Sequence, residues 1–313
     1  MTDYAKLISD EIWAFIRKTQ ASYPDDTASF SIEDQRRVYD AMCASFRVPH
    51  PPGVTTTDRS HAGVPCREYL CGDADVTVVY FHGGGYVVGG LESHDDVCAE
   101  ICARTGYRVV SVDYRLAPEH RHPAAFEDCR NATRAIHQAH GGSIILAGDS
   151  AGANLAAATA HALRGSGVPL IGKVLIYGAF ADTIGTTGSY ATHAQAPLLT
   201  RDDMVFYRDI RMPEGQSTKG DPTAAPLADT DFAGLPPAFL LAAECDPLCD
   251  DSPDYASRIA AAGGRAHCEI APGLVHGFLR ARHMSPQAAA AFDRITGAIA
   301  AFGRGEFPLP EIR

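Results

Sequence analysis

The sequence predicts an α/β fold: a mostly parallel central sheet flanked by helices, with a helical cap. Three observations carry that expectation. Six short apolar runs, at residues 76–81, 108–112, 144–147, 174–177, 238–242 and 266–270, lack the polar alternation of a sheet with one wet face, so they read as strands buried on both sides. Helix-period patterns near 95–104, 124–139, 153–163, 253–262 and 287–302 separate or follow them, and strand-then-helix repetition builds a parallel sheet covered on both faces. The repeat breaks once, between 177 and 238, where about sixty residues intervene, too many for a plain crossover.

Taken in order, residues 1–48 hold no strand signal and two helical ones. In the first, Ala5, Ile8, Ile12, Phe15 and Ile16 share a face, with Trp13 beside it. In the second, Ser31 caps a run through Val38, Met42 and Phe46, with Glu33 and Asp34 in the first turn. Such helices either pad the core or close over a site as a lid. Pro49 to Gly53 ends this segment, and runs at 54–57 and 64–70 read as two strands joined by a turn at His61-Ala62-Gly63. Within the long interruption, 198–207 reads as a capped amphipathic helix bearing Phe206 and Tyr207. An insertion there emerges above the carboxyl edge of the sheet, where ligands of such sheets bind. The expected organisation is cap helices over 1–48 and one large α/β domain over 49–313, with a cap insertion at about 181–225.

Composition narrows the function. At 313 residues and 46% hydrophobic content the chain can bury a large core, and its net charge of -11 disfavours nucleic acid and anionic membrane as partners. A neutral or weakly polar small molecule is the expected ligand. The nine cysteines are scattered, odd in number and without a C-x-x-C pair, so reduced thiols are expected rather than disulfides or a metal site, in a cytoplasmic protein. Acidic residues Asp3, Asp10 and Glu11 interrupt the N-terminal run, which therefore fits neither a signal peptide nor a membrane span, and no stable membrane insertion is expected.

Two glycine-rich stretches carry chemistry. The apolar strand at 144–147 breaks into Gly148-Asp149-Ser150-Ala151-Gly152 and then into the helix-forming Ala153-Asn154-Leu155, a strand-turn-helix that forces strained angles on Ser150 and excludes side chains from both flanking glycines. The helix that follows aims N–H groups and its positive dipole end at a nascent anion. Directly after the strand at 76–81 comes His82-Gly83-Gly84-Gly85-Tyr86, whose consecutive glycines let backbone N–H groups approach an oxyanion. A dinucleotide loop is excluded, because Val88 stands where G-x-G-x-x-G needs its third glycine.

These two blocks, with Tyr114-Arg115-Leu116-Ala117-Pro118-Glu119-His120, Asp246-Pro247-Leu248 and His276-Gly277-Phe278, resemble the bacterial hormone-sensitive-lipase family of α/β-hydrolase esterases from residue 76 to the C-terminus. The resemblance implies an α/β-hydrolase fold with a helical cap, a Ser-Asp-His triad, no cofactor, and hydrolysis of short- to medium-chain carboxylic esters through an acyl-enzyme. It also implies an oxyanion hole at Gly83, Gly84, Gly85 and Ala151, with Gly83 supporting the turn, and a possible homodimer through the edge of the last strand. The chain departs from the family pattern at Ala153, usually glycine, and at Cys249-Asp250-Asp251 after Asp-Pro-Leu.

The residues support the triad independently. A serine hydroxyl needs a base, and of thirteen histidines only those after a late strand can reach an elbow serine: His267, His276 or His283. His267 falls within the last strand and His283 two turns beyond, whereas His276 follows a Pro272-Gly273 turn. Asp246 sits just past the strand at 238–242, while Asp250 and Asp251 would start the next helix as caps or dipole partners. Asp149 is expected to support the elbow, and Asp113, Arg115 and Glu119 to hold loops by buried pairing. Tyr86, His94, Phe206 and Tyr207 are the candidate pocket residues. A small-molecule receptor on the same fold is the competing reading, although such proteins lose the nucleophile or base; amidase, lactonase and deacetylase chemistry stays open.

Overall fold

A strand buried on both faces divides its side chains between two cores, and the computed structural model of the protein, which describes residues 2–24, 27, 30–72 and 74–308, has both. Its strands are β1 (Thr55–His61), β2 (Val64–Leu70), β3 (Val76–Phe81), β4 (Arg108–Val112), β5 (Ser143–Asp149), β6 (Leu170–Ile176), β7 (Ala238–Cys245) and β8 (Ala266–Val275). They form one sheet in the order β1-β2-β4-β3-β5-β6-β7-β8, antiparallel where β2 meets β1 and β4 and parallel elsewhere. The helices are α1 (Tyr4–Leu7), α2 (Asp10–Gln20), α3 (Ile32–Ala44), α4 (Asp95–Thr105), α5 (Ala124–His140), α6 (Ala151–Leu163), α7 (Ser189–Thr192), α8 (Arg201–Arg211), α9 (Asp251–Ala261) and α10 (Pro286–Gly303).

The period of two sorts the strands cleanly. Val78, Tyr80, Ile145, Ala147, Val174 and Ile176 face a core shared with α2, α4 and α10. Val79, Phe81, Ile144, Leu146 and Leu175 face one shared with α5, α6 and α9. The free edge at β1 is exposed over all but its last residue and carries threonines, Asp58 and Arg59, which discourage strand addition.

The N-terminal run expected as one helix is two, because Ser9 is an N-cap: Ile8 leaves the helical region, and the Ser9 hydroxyl accepts from Ile12 N. Ser31 caps α3 as expected, accepting from Asp34 N at 3.1 Å. The long interruption between β6 and β7 contains α7 and α8, the latter closed by a reciprocal cap between Thr200 and Asp203. Asp250 stands at the N-cap of α9 and Asp251 in its first turn, as expected, but neither side chain makes a capping bond. Asp250 accepts from Ser189 N at 2.7 Å, and Asp251 from Phe180 N, Ala181 N and the Tyr190 hydroxyl at 2.6, 2.9 and 2.7 Å, so both fasten the insertion. Burial raises the Asp251 carboxyl to about 6 against the pull of those bonds. All nine cysteines are unpaired thiols. Among the described residues no helix is long and apolar enough to cross a membrane.

Candidate active site

The site is built where β5 turns into α6. Asp149 ends the strand, Ala151 opens the helix, and Ser150 between them has φ 54° and ψ -119°, a left-handed conformation costing a non-glycine residue about 1–3 kcal/mol. Neighbouring backbone enforces it. A Cβ at Gly148 would lie 2.5 Å from the Gly152 carbonyl and 2.6 Å from Phe81 O, and one at Gly152 would meet Phe81 C at 2.5 Å and His82 O at 2.7 Å, with Phe81 O closer still. Ser150 N donates to Ile176 O at 2.9 Å, which pins the turn to β6.

Around that turn three side chains converge. His276, in the loop after β8, places Nε2 2.8 Å from Ser150 Oγ and Nδ1 2.7 Å from Asp246 Oδ2. Asp246, fully buried just past β7, accepts only, so Nδ1 donates and Nε2 is left to accept the serine proton. Leu248 N, at 2.9 Å, occupies the other oxygen of Asp246 and fixes its carboxylate plane. The Tyr177 ring packs on the imidazole with centroids 4.9 Å apart. The two rival histidines are engaged elsewhere, His267 with Glu269 at 2.9 Å and His283 with Glu100 at 2.7 Å.

The loop after β3 faces the same point. Gly84 and Gly85 have φ of 129° and 61°, and among the described residues their amides and that of Ala151 have no acceptor. Gly83 differs: its N–H donates to Asp149 Oδ1 at 3.0 Å. Asp149 also accepts from the hydroxyls of Tyr80 at 2.8 Å and Tyr177 at 3.3 Å, tying the oxyanion loop, the elbow and β6 together from below. Burial opposes its charge, but the adjacent His94 imidazole, the more distant Arg280 and the Tyr80 bond outweigh burial and hold the carboxyl below the usual range. Burial and the His94 charge push His82 down to about 4, leaving it neutral where it stacks on Tyr114 at 4.2 Å.

Residues 78–280 match the family of α/β-hydrolase-fold proteins. A carboxylesterase of Mycobacterium tuberculosis is 38% identical over 244 residues, covering 74% of this chain and 76% of that one. The chain belongs to the α/β-hydrolase family. An acetyl esterase of Salmonella paratyphi B is 30% identical over 302 residues, 88% of this hydrolase and 89% of the relative. The crystal structure of an esterase from the bacterial hormone-sensitive lipase family superposes with a TM-score of 0.83 at 29% identity, covering 96% of this hydrolase and 99% of that chain. Within the family the chain is thus a carboxylic ester hydrolase of the hormone-sensitive-lipase group, with the fold expected from its sequence.

Ser150 and His276 open into a cavity of about 400 Å³. Of the four candidate pocket residues of this hydrolase, Tyr207 lines it and three do not. Tyr86 turns away at φ 67° into the core beneath α5, with the Arg211 guanidinium 3.6 Å above its ring. His94 lies buried under the elbow, 3.3 Å from Asp149. Phe206 is 44% exposed on the outer side of α8. The wall instead comes largely from α2 and α3, through Phe15, Thr19, Gln20, Tyr39 and Met42, together with Arg280, none of which carries a local motif. Arg115 pairs with Asp128 at 2.8 Å and Glu119 with Arg36 at 2.7 Å, as loop ties that are half exposed rather than buried; Asp113 has no charged partner within 4.0 Å among the described residues. Among the described residues one cluster has metal-ligand character, His61, Glu68 and His140 at the β1–β2 hairpin, but Glu68 Oε1 already takes both imidazoles at 2.8 and 2.9 Å while Arg59 sits 3.3 Å from Oε2.

Proposed function

We propose that the hydrolase cleaves short- to medium-chain carboxylic esters by a two-step acyl-enzyme mechanism on Ser150, His276 and Asp246. The observation that carries this reading is the continuous relay from Asp246 Oδ2 through His276 to Ser150 Oγ, with contacts of 2.7 and 2.8 Å. Ser150 Oγ attacks the ester carbonyl as its proton passes to His276 Nε2, and Asp246 holds the resulting imidazolium in place. The developing oxyanion falls to the free amides of Gly84, Gly85 and Ala151, where each donor of this kind contributes about 3–4 kcal/mol. Gly83 contributes by holding Asp149 instead of donating. The imidazolium then protonates the leaving alkoxide, and the same base activates water to release the acid. A cap formed by the N-terminal helices and the 181–225 insertion would set chain length, because α2, α3 and α8 supply the cavity wall. The acetyl esterase among its relatives supports a short acyl group.

Turnover of p-nitrophenyl acetate and butyrate tests the reading. Ser150→Ala should fold normally and lose activity by at least about 10⁴-fold, with loss of organophosphate labelling. A folded wild-type protein giving neither turnover nor burst, or an alanine variant as active as the parent, would overturn it.

A further inference from the structure

Arg280 sits in the wall of the same cavity as Ser150 and His276, on a short turn (Phe278–Ala281) that directly follows the catalytic loop. Among the described residues no carboxylate lies within 4.0 Å of it, whereas Arg282, two residues on, has Asp96 and Glu100. Its one oxygen acceptor is the Tyr39 hydroxyl, at 2.7 Å from Nη2. Nε is sealed from water and has no partner, and Thr19 Oγ1, in the same wall, is likewise sealed and unpartnered. A guanidinium offers five N–H groups in a planar fork, so most of its capacity is unspent here. Neither carboxylate of the wall pairs with it directly: Asp149 is bonded to Tyr80 and Gly83 and feels the guanidinium only at a distance, and Asp203 is bonded to Thr200 N and Oγ1 at 2.8 and 2.7 Å.

From this geometry we infer that the cavity selects esters bearing a carboxylate, with the ester carbonyl at Ser150 and the free carboxylate on the Arg280 fork. The inference rests on the ester-hydrolase reading above and names its substrate class. It runs against the neutral ligand expected from overall charge, because a net charge of -11 describes the whole surface, whereas this cation is local and shielded. Monoesters of short dicarboxylic acids fit a volume of about 400 Å³.

The experiment compares kcat/KM for monoethyl glutarate with that for its uncharged branched counterpart, ethyl 5-methylhexanoate, by pH-stat. A second pair, 4-acetoxybutanoate and pentyl acetate, puts the charge on the alcohol side. The wild type should prefer the charged member of at least one pair, and Arg280→Gln should lower that preference by about 10- to 100-fold, the range of a hydrogen-bonded charge pair. Arg280→Lys should keep part of it. If Arg280 only braces Tyr39, both members of a pair lose rate together and the ratio stays put, which overturns the inference. A wild-type preference for the neutral member in both pairs overturns it equally. Turnover of p-nitrophenyl butyrate separates the two levels: activity there without charge preference removes only this inference, and its absence removes the ester-hydrolase reading. Calorimetric binding of monoethyl glutarate to Ser150→Ala needs no turnover; affinity unaffected by adding Arg280→Gln would again overturn the proposal.

Discussion

Gly152→Ala tests how the elbow is held. The added methyl would sit 2.5 Å from Phe81 C and 2.7 Å from His82 O, where carbon contacts normally settle at about 3.5–4.0 Å. All the atoms it meets are backbone, so no side chain can swing aside; the end of β3 and the start of α6 must separate by about 1 Å. Overpacking of this kind costs about 3 kcal/mol at the upper end of its range, equivalent to a Tm loss of about 5 °C in a chain of 313 residues. The same displacement moves the Gly84–Gly85 amides relative to Ser150, and a misplacement of about 1 Å at a reacting centre lowers rate about 100-fold. Thermal unfolding and ester kinetics read the two effects separately. Gly297→Ala is the internal control: it lies exposed within α10, its Cβ would meet nothing within 4 Å, and it should stabilise by about 0.5–1 kcal/mol with unchanged kinetics. A Gly152→Ala protein with a Tm within about 1 °C of the parent and undiminished kcat/KM would refute the claim that backbone contact sets the elbow.

Two further perturbations probe buried charge. Arg282→Met strands Asp96 and Glu100, both about 6% exposed, which Arg282 contacts at 2.5 and 2.7 Å; urea unfolding should show a loss of about 3–5 kcal/mol, partly restored by adding Glu100→Gln, and a loss below about 1 kcal/mol would contradict it. Lys173 is fully buried, donates to the Tyr255 hydroxyl at 2.9 Å, and is pushed down to about 7 by burial and by Arg164. Between that value and the ordinary 10.5 the unfolded chain binds the extra proton, so this group makes stability rise with pH, by up to about 1.4 kcal/mol per unit, and its penalty is complete below pH 7. The difference in unfolding free energy between wild type and Lys173→Met should therefore slope between pH 7 and 9, and a flat difference would mean Lys173 keeps its charge.

The elbow and the convergence of Ser150, Asp246 and His276 were readable because their placement is local or ordered along the chain. Gly148-Asp149-Ser150-Ala151-Gly152 writes its own geometry within five residues, and Asp246 and His276 follow from strand ends and chain order. The cavity wall had no such signature. Amphipathic spacing in α2 and α3 said which face is buried, but not that Phe15 and Met42, besides packing in the core, would border a cavity. Nearness in sequence also misled: Tyr86 adjoins the oxyanion loop, yet the positive φ of Gly85 and of Tyr86 itself sends the ring away from it. Phe206 and Tyr207 are adjacent on α8, about 100° apart around its axis, and here Tyr207 faces the cavity while Phe206 points to solvent.

The contrast has a physical consequence for selectivity. Ser150 and the oxyanion loop are held by backbone against backbone, as at Gly84, where a Cβ would lie 2.8 Å from the Val88 carbonyl carbon, so almost any substitution there disturbs the fold. The wall is held by side chains from α2, α3 and α8, which can change without moving the elbow. Arg280 and His276 share one segment of chain, and two residues beyond Arg280 that segment is anchored to α4 by the buried Arg282 cluster. The proposed base and the proposed carboxylate-binding fork are therefore mechanically linked through one ion-paired anchor, while Ser150 depends on the glycine contacts of the elbow. Loosening the anchor should disturb the relay at its histidine end while leaving the backbone angles of Ser150 as they are.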